Sequence, residues 1–79
     1  MTIEQIVGQN IKEIRRKKGW VQEDLAITAK ITRSYIGQIE RAERIVSLST
    51  IEKIAKALKV SLAVIVTKDA YKEYKPDKD

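Results

Sequence analysis

The segment from Gln22 to Arg41 constrains the fold of this chain more than any other stretch of its sequence. The small and apolar residues that recur there at helical spacing fall into two short runs and are Leu25, Ala26, Ala29, Tyr35, Ile36 and Ile39. Because few residues separate the runs, we predict two short helices joined by a tight turn. The second helix should leave Arg33, Ser34 and Gln38 facing outward.

Two helices joined in this way can form a helix-turn-helix, in which one helix braces a second that enters the DNA major groove. An arginine can hydrogen-bond O6 and N7 of guanine together, and a glutamine can do the same with N6 and N7 of adenine. We therefore predict that the base-reading residues are Arg33, Ser34, Gly37 and Gln38. Gly37 is included because it leaves room for close approach of the backbone. The alternative for Arg33 is a phosphate contact or a solvated surface side chain.

Composition points to one all-α domain. The 79 residues are 43% hydrophobic but only 5% aromatic, which favours a core of Ile, Leu, Val and Ala. Only one proline and three glycines interrupt the chain, which suits packed helices. The cap and spacing signals given below predict five helices over residues 1–75, followed by a disordered tail at 76–79. A chain this small also gains stability from forming a dimer.

Charge and missing residue types narrow the functions further. A net charge of +5 favours a polyanionic partner, although many small proteins are mildly basic. The chain has no cysteine and no histidine, which removes disulfides, thiolate ligands and the commonest general base, so we expect no metal, no cofactor and no enzymatic activity. No apolar run approaches the roughly 18 residues of a membrane span, and no secretory pattern is present. A cytoplasmic protein without a membrane partner is expected.

Caps and apolar spacing predict the other helices. The first should start after Thr2, with Gln5 completing a capping box, and end at Gly19. Helices two and three should cover residues 22–30 and 33–42, and helix four should be capped either by Ser49 with Glu52 or by Ser47. The residues expected to be buried in helices one and four are Ile3, Ile6, Val7, Asn10, Ile11, Ile14, Leu48, Ile51, Ile54, Ala55 and Leu58.

Two positions break local rules. Val21 occupies the N-cap position of helix two and has no side-chain oxygen to cap it, a loss of about 1 kcal/mol. Lys30 should adopt a left-handed conformation at the turn, with about 1 kcal/mol of strain.

The run LAVIV after Ser61 allows either a β-strand or a short helix. We favour a helix, extending at most to about Tyr74, because a lone strand has nothing to pair with. Its apolar residues are too many for one side of a short helix, which predicts a twofold dimer interface formed by Leu62, Val64, Ile65 and Val66. The alternative is a helix fully buried in a monomer.

The segments KKGW, QEDLA, TRSYIGQIERAER and SLSTIEKIAKALKVSL occur in an order that resembles the lambda-repressor and Cro type of helix-turn-helix family, also called XRE-like. The resemblance covers about residues 7–66. A narrower likeness, in RSYI and IER followed by Arg44 and IVSL, is to the controller proteins of restriction–modification systems. Departures occur where the family usually has Ser or Thr before Gln22, and glycine at the positions of Lys30 and Ala42. Other XRE-like proteins more often have Asn-Pro-Ser in place of Ile45-Val46-Ser47.

Contacts to the DNA backbone are expected at helix N-termini and in the loop after helix three, where N–H groups and basic side chains favour phosphate. The expected residues are Gln22, Thr32, Tyr35, Arg41, Arg44 and Ser47, of which Tyr35 is included because the resemblance implies it. The resemblance also implies a structural ion pair between Arg15 and Glu40.

We expect a dimeric, sequence-specific transcription regulator that binds a pseudo-palindromic double-stranded DNA operator. The resemblance implies a restriction–modification controller, which activates endonuclease expression and regulates its own gene. Activation would need a contact with RNA polymerase, and the sequence does not single one out. The alternative is a phage-type repressor or an antitoxin-like regulator of the same family that also binds a protein partner.

Overall fold

The structure is a computed structural model, and it describes residues 1–76. The helices are α1 (Ile3–Lys17), α2 (Gln22–Ala29), α3 (Arg33–Glu40), α4 (Leu48–Leu58) and α5 (Leu62–Val66), followed by a 3-10 helix at Ala70–Lys72. These residues form no strand, so the expected all-α fold with five α-helices is confirmed, and LAVIV is helical. Residues 77–79 of the expected disordered tail lie outside the described residues. No helix of residues 1–76 is long and apolar enough to span a membrane.

The core lies between α1 and the other helices. Helix α1 packs against α3 and α5, and α2 packs against α3 and α4. The apolar side chains that are almost completely buried are Ile11, Ile14, Leu25, Ile36, Ile39, Ile54, Leu58 and Ile65. Three residues of the predicted buried stripes are not buried: Ile6 is only half-buried, and Ile3 and Leu48 are 52% and 61% exposed at the first positions of their helices. A first-turn residue projects beyond the packed layer even when its spacing fits.

Local cap geometry explains where the helices begin. The hydroxyl of Thr2 accepts from the N–H of Gln5, whose side chain accepts from the N–H of Thr2, so the predicted capping box is present. Helix α4 is capped by Ser47, whose hydroxyl accepts from the N–H of Thr50, and not by Ser49.

The Asp24 side chain partly replaces the N-cap hydrogen bond that is missing at the start of α2. Val21 offers no side-chain oxygen, but the Asp24 carboxylate accepts from the Val21 N–H at 2.9 Å. One half of a capping box is therefore made without the other. This acid also lies in the first turn of α2, where negative charge is favourable.

The side chain of Asn10 links α1 to α5 by hydrogen bonds. Its Nδ2 atom donates to the carbonyls of Val64, Ile65 and Thr67 at 3.1, 2.8 and 2.8 Å. Its Oδ1 atom accepts from the N–H of Tyr71 at 3.1 Å. A five-residue helix has few internal hydrogen bonds, so this fully buried amide supplies partners for carbonyls at its end. Helix α5 consequently ends at Val66, well before Tyr74.

Candidate nucleic-acid interface

The turn between α2 and α3 is three residues long, Lys30 to Thr32. Lys30 has the predicted left-handed conformation, with φ of 59°. The N–H of Ile31 returns to the carbonyl of Ala26 at 3.0 Å, and the hydroxyl of Thr32 caps α3 by accepting from the N–H of Tyr35. The chain thus turns within three residues and begins α3 at once, as in a helix-turn-helix.

Helix α3 presents a polar row at the surface, which we call the reading face and define as Arg33, Ser34 and Gln38. Arg33 and Ser34 are exposed in the first turn, and Gln38 is half-buried one turn later. The side-chain oxygen of Gln38 lies 3.4 Å from Nη1 of Arg44, a long and readily exchanged contact. These groups have the donor and acceptor chemistry that base edges require.

The space beside Gly37 is occupied by the side chain of Arg41. Gly37 is buried, and a methyl group added there would lie 3.0 Å from Nη1 of Arg41. The missing side chain therefore makes room for the Arg41 guanidinium, which is the flexible end of an exposed side chain. The base-reading role expected of Gly37 stays a prediction.

Basic side chains of the loop after α3 flank the reading face. The Arg44 guanidinium lies 5.2 Å from the ring centroid of Tyr35, a distance suited to a cation–π contact. Tyr35 is half-buried and packs against the core, so its ring is a fixed platform for the exposed arginine. Ser47 is the N-cap of α4 at the end of the same loop, and its hydroxyl is already bonded within the cap.

A second arginine of this loop is paired with an acid. Nε and Nη2 of Arg41 donate to the two carboxylate oxygens of Glu43 at 2.8 and 3.2 Å. The hydrogen bond from Arg41 lowers the pKa of Glu43, and the same hydrogen bond raises the pKa of Arg41. Both groups therefore stay charged at neutral pH.

Beneath α3, an ion pair joins its last residue to α1. Nε and Nη2 of Arg15 donate to the Glu40 carboxylate at 2.7 and 3.0 Å, and Nη1 donates to the carbonyl of Trp20 at 2.8 Å. The Gln22 amide also donates to Glu40, at 3.0 Å. The Gln22 side chain thus belongs to this network in the absence of DNA. Its expected contact with the DNA backbone stays a prediction, since Gln22 is also the first residue of α2, at the positive end of that helix.

Gly8 sets the distance between α1 and α3. A methyl group added there would lie 2.5 Å from the carbonyl oxygen of Ile39 and 2.9 Å from that of Glu40. Only hydrogen fits between the two helices at this point. Sequence reasoning missed this residue, and a glycine within an otherwise regular helical stripe was the available signal.

The predicted dimer residues divide into two groups. Leu62 and Val64 are half-buried and Val66 is 37% exposed, so all three retain surface that a partner can cover. Ile65 has no exposed surface, because it faces the core of its own protomer. It is corrected from an interface residue to a core residue.

Comparison with known proteins gives a consistent result. The helix-turn-helix family model matches residues 11–65. Control protein C.SmaI of Serratia marcescens is 39% identical over 72 residues, which cover 91% of this chain and 86% of that protein. Control protein C.BamHI of Bacillus amyloliquefaciens is 48% identical over 56 residues, which cover 70% of this chain and 69% of that protein.

The fold is similar to that of a solved protein–DNA complex. The restriction–modification controller protein C.Esp1396I, crystallised as a tetramer with its natural 35 base-pair operator, matches with a TM-score of 0.76. It is 40% identical to this chain, and the match covers 82% of this chain and 86% of that one.

Proposed function

The chain belongs to the helix-turn-helix family, and from this we propose that it is a dimeric transcription regulator that binds a pseudo-palindromic operator in a sequence-specific manner. The observation that carries the proposal is the reading face on α3. Arg33 and Ser34 are exposed at its N-terminal end, and Gln38 follows one turn later. A recognition helix meets base edges with its N-terminal residues, so these groups are in the right order for direct reading.

The surroundings of α3 suit contact with phosphates. Arg44 and Arg41 lie beyond its C-terminal end, and Thr32 and Ser47 cap the N-termini of α3 and α4. Helix N-termini attract phosphate through their unpaired N–H groups. We assign Thr32, Tyr35, Arg41, Arg44 and Ser47, together with Gln22 at the N-terminus of α2, to backbone contacts, which position the reading face without reading sequence.

Dimerisation follows from the surface of α5. Leu62, Val64 and Val66 leave apolar area uncovered at one end of the single domain formed by residues 1–75. A twofold axis there would place two copies of α3 on successive major grooves, about 34 Å apart.

We further propose that the regulated genes are those of a restriction–modification system. The two control proteins match over most of their own length, and the operator-bound controller protein has the same fold. By this proposal the protein acts in the cytoplasm, activates endonuclease expression through a contact with RNA polymerase, and represses its own gene as more protein binds. It has no enzymatic role.

Footprinting on the DNA upstream of the protein's own gene tests the function. We expect two protected half-sites about one helical turn apart and binding that weakens steeply with salt. Failure to protect any site at moderate salt would exclude operator binding. The controller role fails separately if no methyltransferase and endonuclease genes lie beside this one.

A further inference from the structure

We propose that Glu43 is an internal competitor for DNA: its carboxylate holds the Arg41 guanidinium, and a phosphate must displace it before Arg41 can contact the backbone. The inference rests on the DNA-binding function proposed above. The pairing is bidentate, with Nε to Oε2 at 2.8 Å and Nη2 to Oε1 at 3.2 Å. A DNA phosphate offers arginine the same two-oxygen geometry.

The backbone conformation after α3 places Glu43 beside Arg41. Ala42 adopts a left-handed conformation, with φ of 59°, and its N–H returns to the carbonyl of Ile39 at 3.0 Å. The N–H of Glu43 then donates to the carbonyl of Gln38 at 2.9 Å. The chain therefore folds back on the last turn of α3, and the carboxylate lies beside Arg41.

Arg41 is held on the recognition helix itself. Its Nη1 atom occupies the space beside Gly37, 3.0 Å from where a methyl group would lie. Arg41 is the C-cap of α3, and the backbone of Glu43 bonds to the carbonyl of Gln38 in the same turn. The guanidinium and its carboxylate therefore lie together at the C-terminal end of α3, where the proposed function assigns Arg41 to a phosphate contact.

The ion pair between Arg41 and Glu43 is exposed to solvent and contributes little to the stability of the fold. The side chains of Arg41 and Glu43 are 58% and 51% exposed, whereas those of Arg15 and Glu40 are 9% and 3% exposed. Ion pairs in water contribute little to stability and exchange partners readily. Glu43 is also the only acidic residue between Glu40 and Glu52, in a loop whose other charged residues are Arg41 and Arg44.

The effect on binding has a definite sign. A carboxylate beside DNA repels phosphate, and it also neutralises a cation that would otherwise release a counterion from the duplex. Removing the charge of Glu43 should therefore strengthen binding to every sequence alike, because a phosphate contact carries no sequence information.

The experiment compares wild type, Glu43→Gln, Arg41→Ala and the double variant, by fluorescence anisotropy over a salt series. The probes are a duplex from upstream of the protein's own gene and a scrambled duplex of equal length. Glu43→Gln should tighten binding to both by about 3- to 10-fold. Its plot of log affinity against log salt should be steeper by up to about 0.9. In the Arg41→Ala background the same substitution should have almost no effect.

Glu73→Gln is the matched control, because it removes the same charge from an exposed residue beyond the 3-10 helix. It should change affinity little. Weaker DNA binding by Glu43→Gln would show that Glu43 positions Arg41 for DNA. If Glu43→Gln tightens binding equally in the Arg41→Ala background, its charge acts by repelling DNA directly and not by holding Arg41. Either result overturns the proposal. If wild type retains neither duplex, the proposed function fails. If wild type binds and Glu43→Gln binds no tighter, only the role of Glu43 fails.

Discussion

Arg15 on α1 donates two hydrogen bonds to the buried carboxylate of Glu40, the last residue of the recognition helix. The side chains are 9% and 3% exposed, so both charges have left water. The network is complete, because Gln22 donates to Glu40 and Arg15 also reaches the carbonyl of Trp20. This arrangement ties α1, the start of α2 and the end of α3 together behind the reading face.

Arg15→Ala should be strongly destabilising, since it leaves the Glu40 charge buried with the Gln22 amide as its remaining side-chain donor. We expect a loss of about 3 to 5 kcal/mol in the free energy of unfolding, measured by urea denaturation. Arg16→Ala, at the exposed neighbouring position, should stay within about 0.5 kcal/mol of wild type. The double substitution Arg15→Met with Glu40→Leu should recover most of the loss. Near-neutral behaviour of Arg15→Ala would contradict the role of this pair.

Gly8→Ala and Gly37→Ala form a matched pair of helix substitutions. Alanine favours a helix by about 1 kcal/mol over glycine, so both would stabilise if space allowed. At Gly8 the new methyl meets two backbone carbonyls of α3, and we expect a net loss of about 1 to 3 kcal/mol together with weaker DNA binding. At Gly37 it meets only the flexible Arg41 side chain, and stability should be kept or improved. Equal thermal stabilities for the two variants would contradict this account.

Asn10→Asp removes the Nδ2 donor while keeping the shape of the side chain. Three carbonyls would then face a buried carboxylate, and stability should fall by at least about 2 kcal/mol at neutral pH. Burial among carbonyls raises the pKa of this new acid above its unfolded value, so the folded state binds the extra proton. Stability should therefore rise again, relative to wild type, as the pH falls through the folded pKa towards the unfolded value. Urea denaturation across this range measures it, and a pH-independent difference would refute the mechanism.

Local rules account for the parts of this structure that could be predicted. The Thr2–Gln5 capping box, the stop at Gly19 and the left-handed Lys30 depend on a few neighbouring residues, and all three are present. The choice of helix for LAVIV was also right, because the chain offers that segment no strand partner within residues 1–76. The resemblance implied the pair of Arg15 with Glu40, and the structure contains it.

Contacts set by packing could not be predicted in the same way. Five consecutive apolar residues do not show which one faces inward, and so Ile65 was placed at the dimer surface. The role of Gly8 depends on carbonyls of a helix some thirty residues away. Helical spacing does not bring residues two apart together, so the pair of Arg41 and Glu43 depends on the left-handed Ala42.

Val66→Asp should disrupt the proposed dimer without unfolding the protomer, because the side chain is already 37% exposed. We expect a monomer by sedimentation equilibrium and operator affinity lower by about 100-fold or more, since one half-site no longer helps to hold the other. Ile27→Asp is the control, as its side chain is 67% exposed on α2. It should remain dimeric. If the Val66→Asp protein is still a dimer, the dimer interface does not lie on α5.

We expect Arg33 to contribute to discrimination between DNA sequences, and Arg44 to contribute to affinity for any duplex. If Arg33 reads a guanine, Arg33→Ala should reduce discrimination at one operator position by about 1 to 3 kcal/mol and leave others unchanged. Arg44 stacks on Tyr35 beyond the reading face, so Arg44→Ala should weaken binding to all duplexes and reduce the salt slope by about 1. Affinities for a set of single-base operator variants, measured at two salt concentrations, separate the two effects. If Arg33→Ala instead weakens binding to all duplexes equally, Arg33 contacts a phosphate and not a base. Ser34 and Gln38 would then be the base-reading residues of α3.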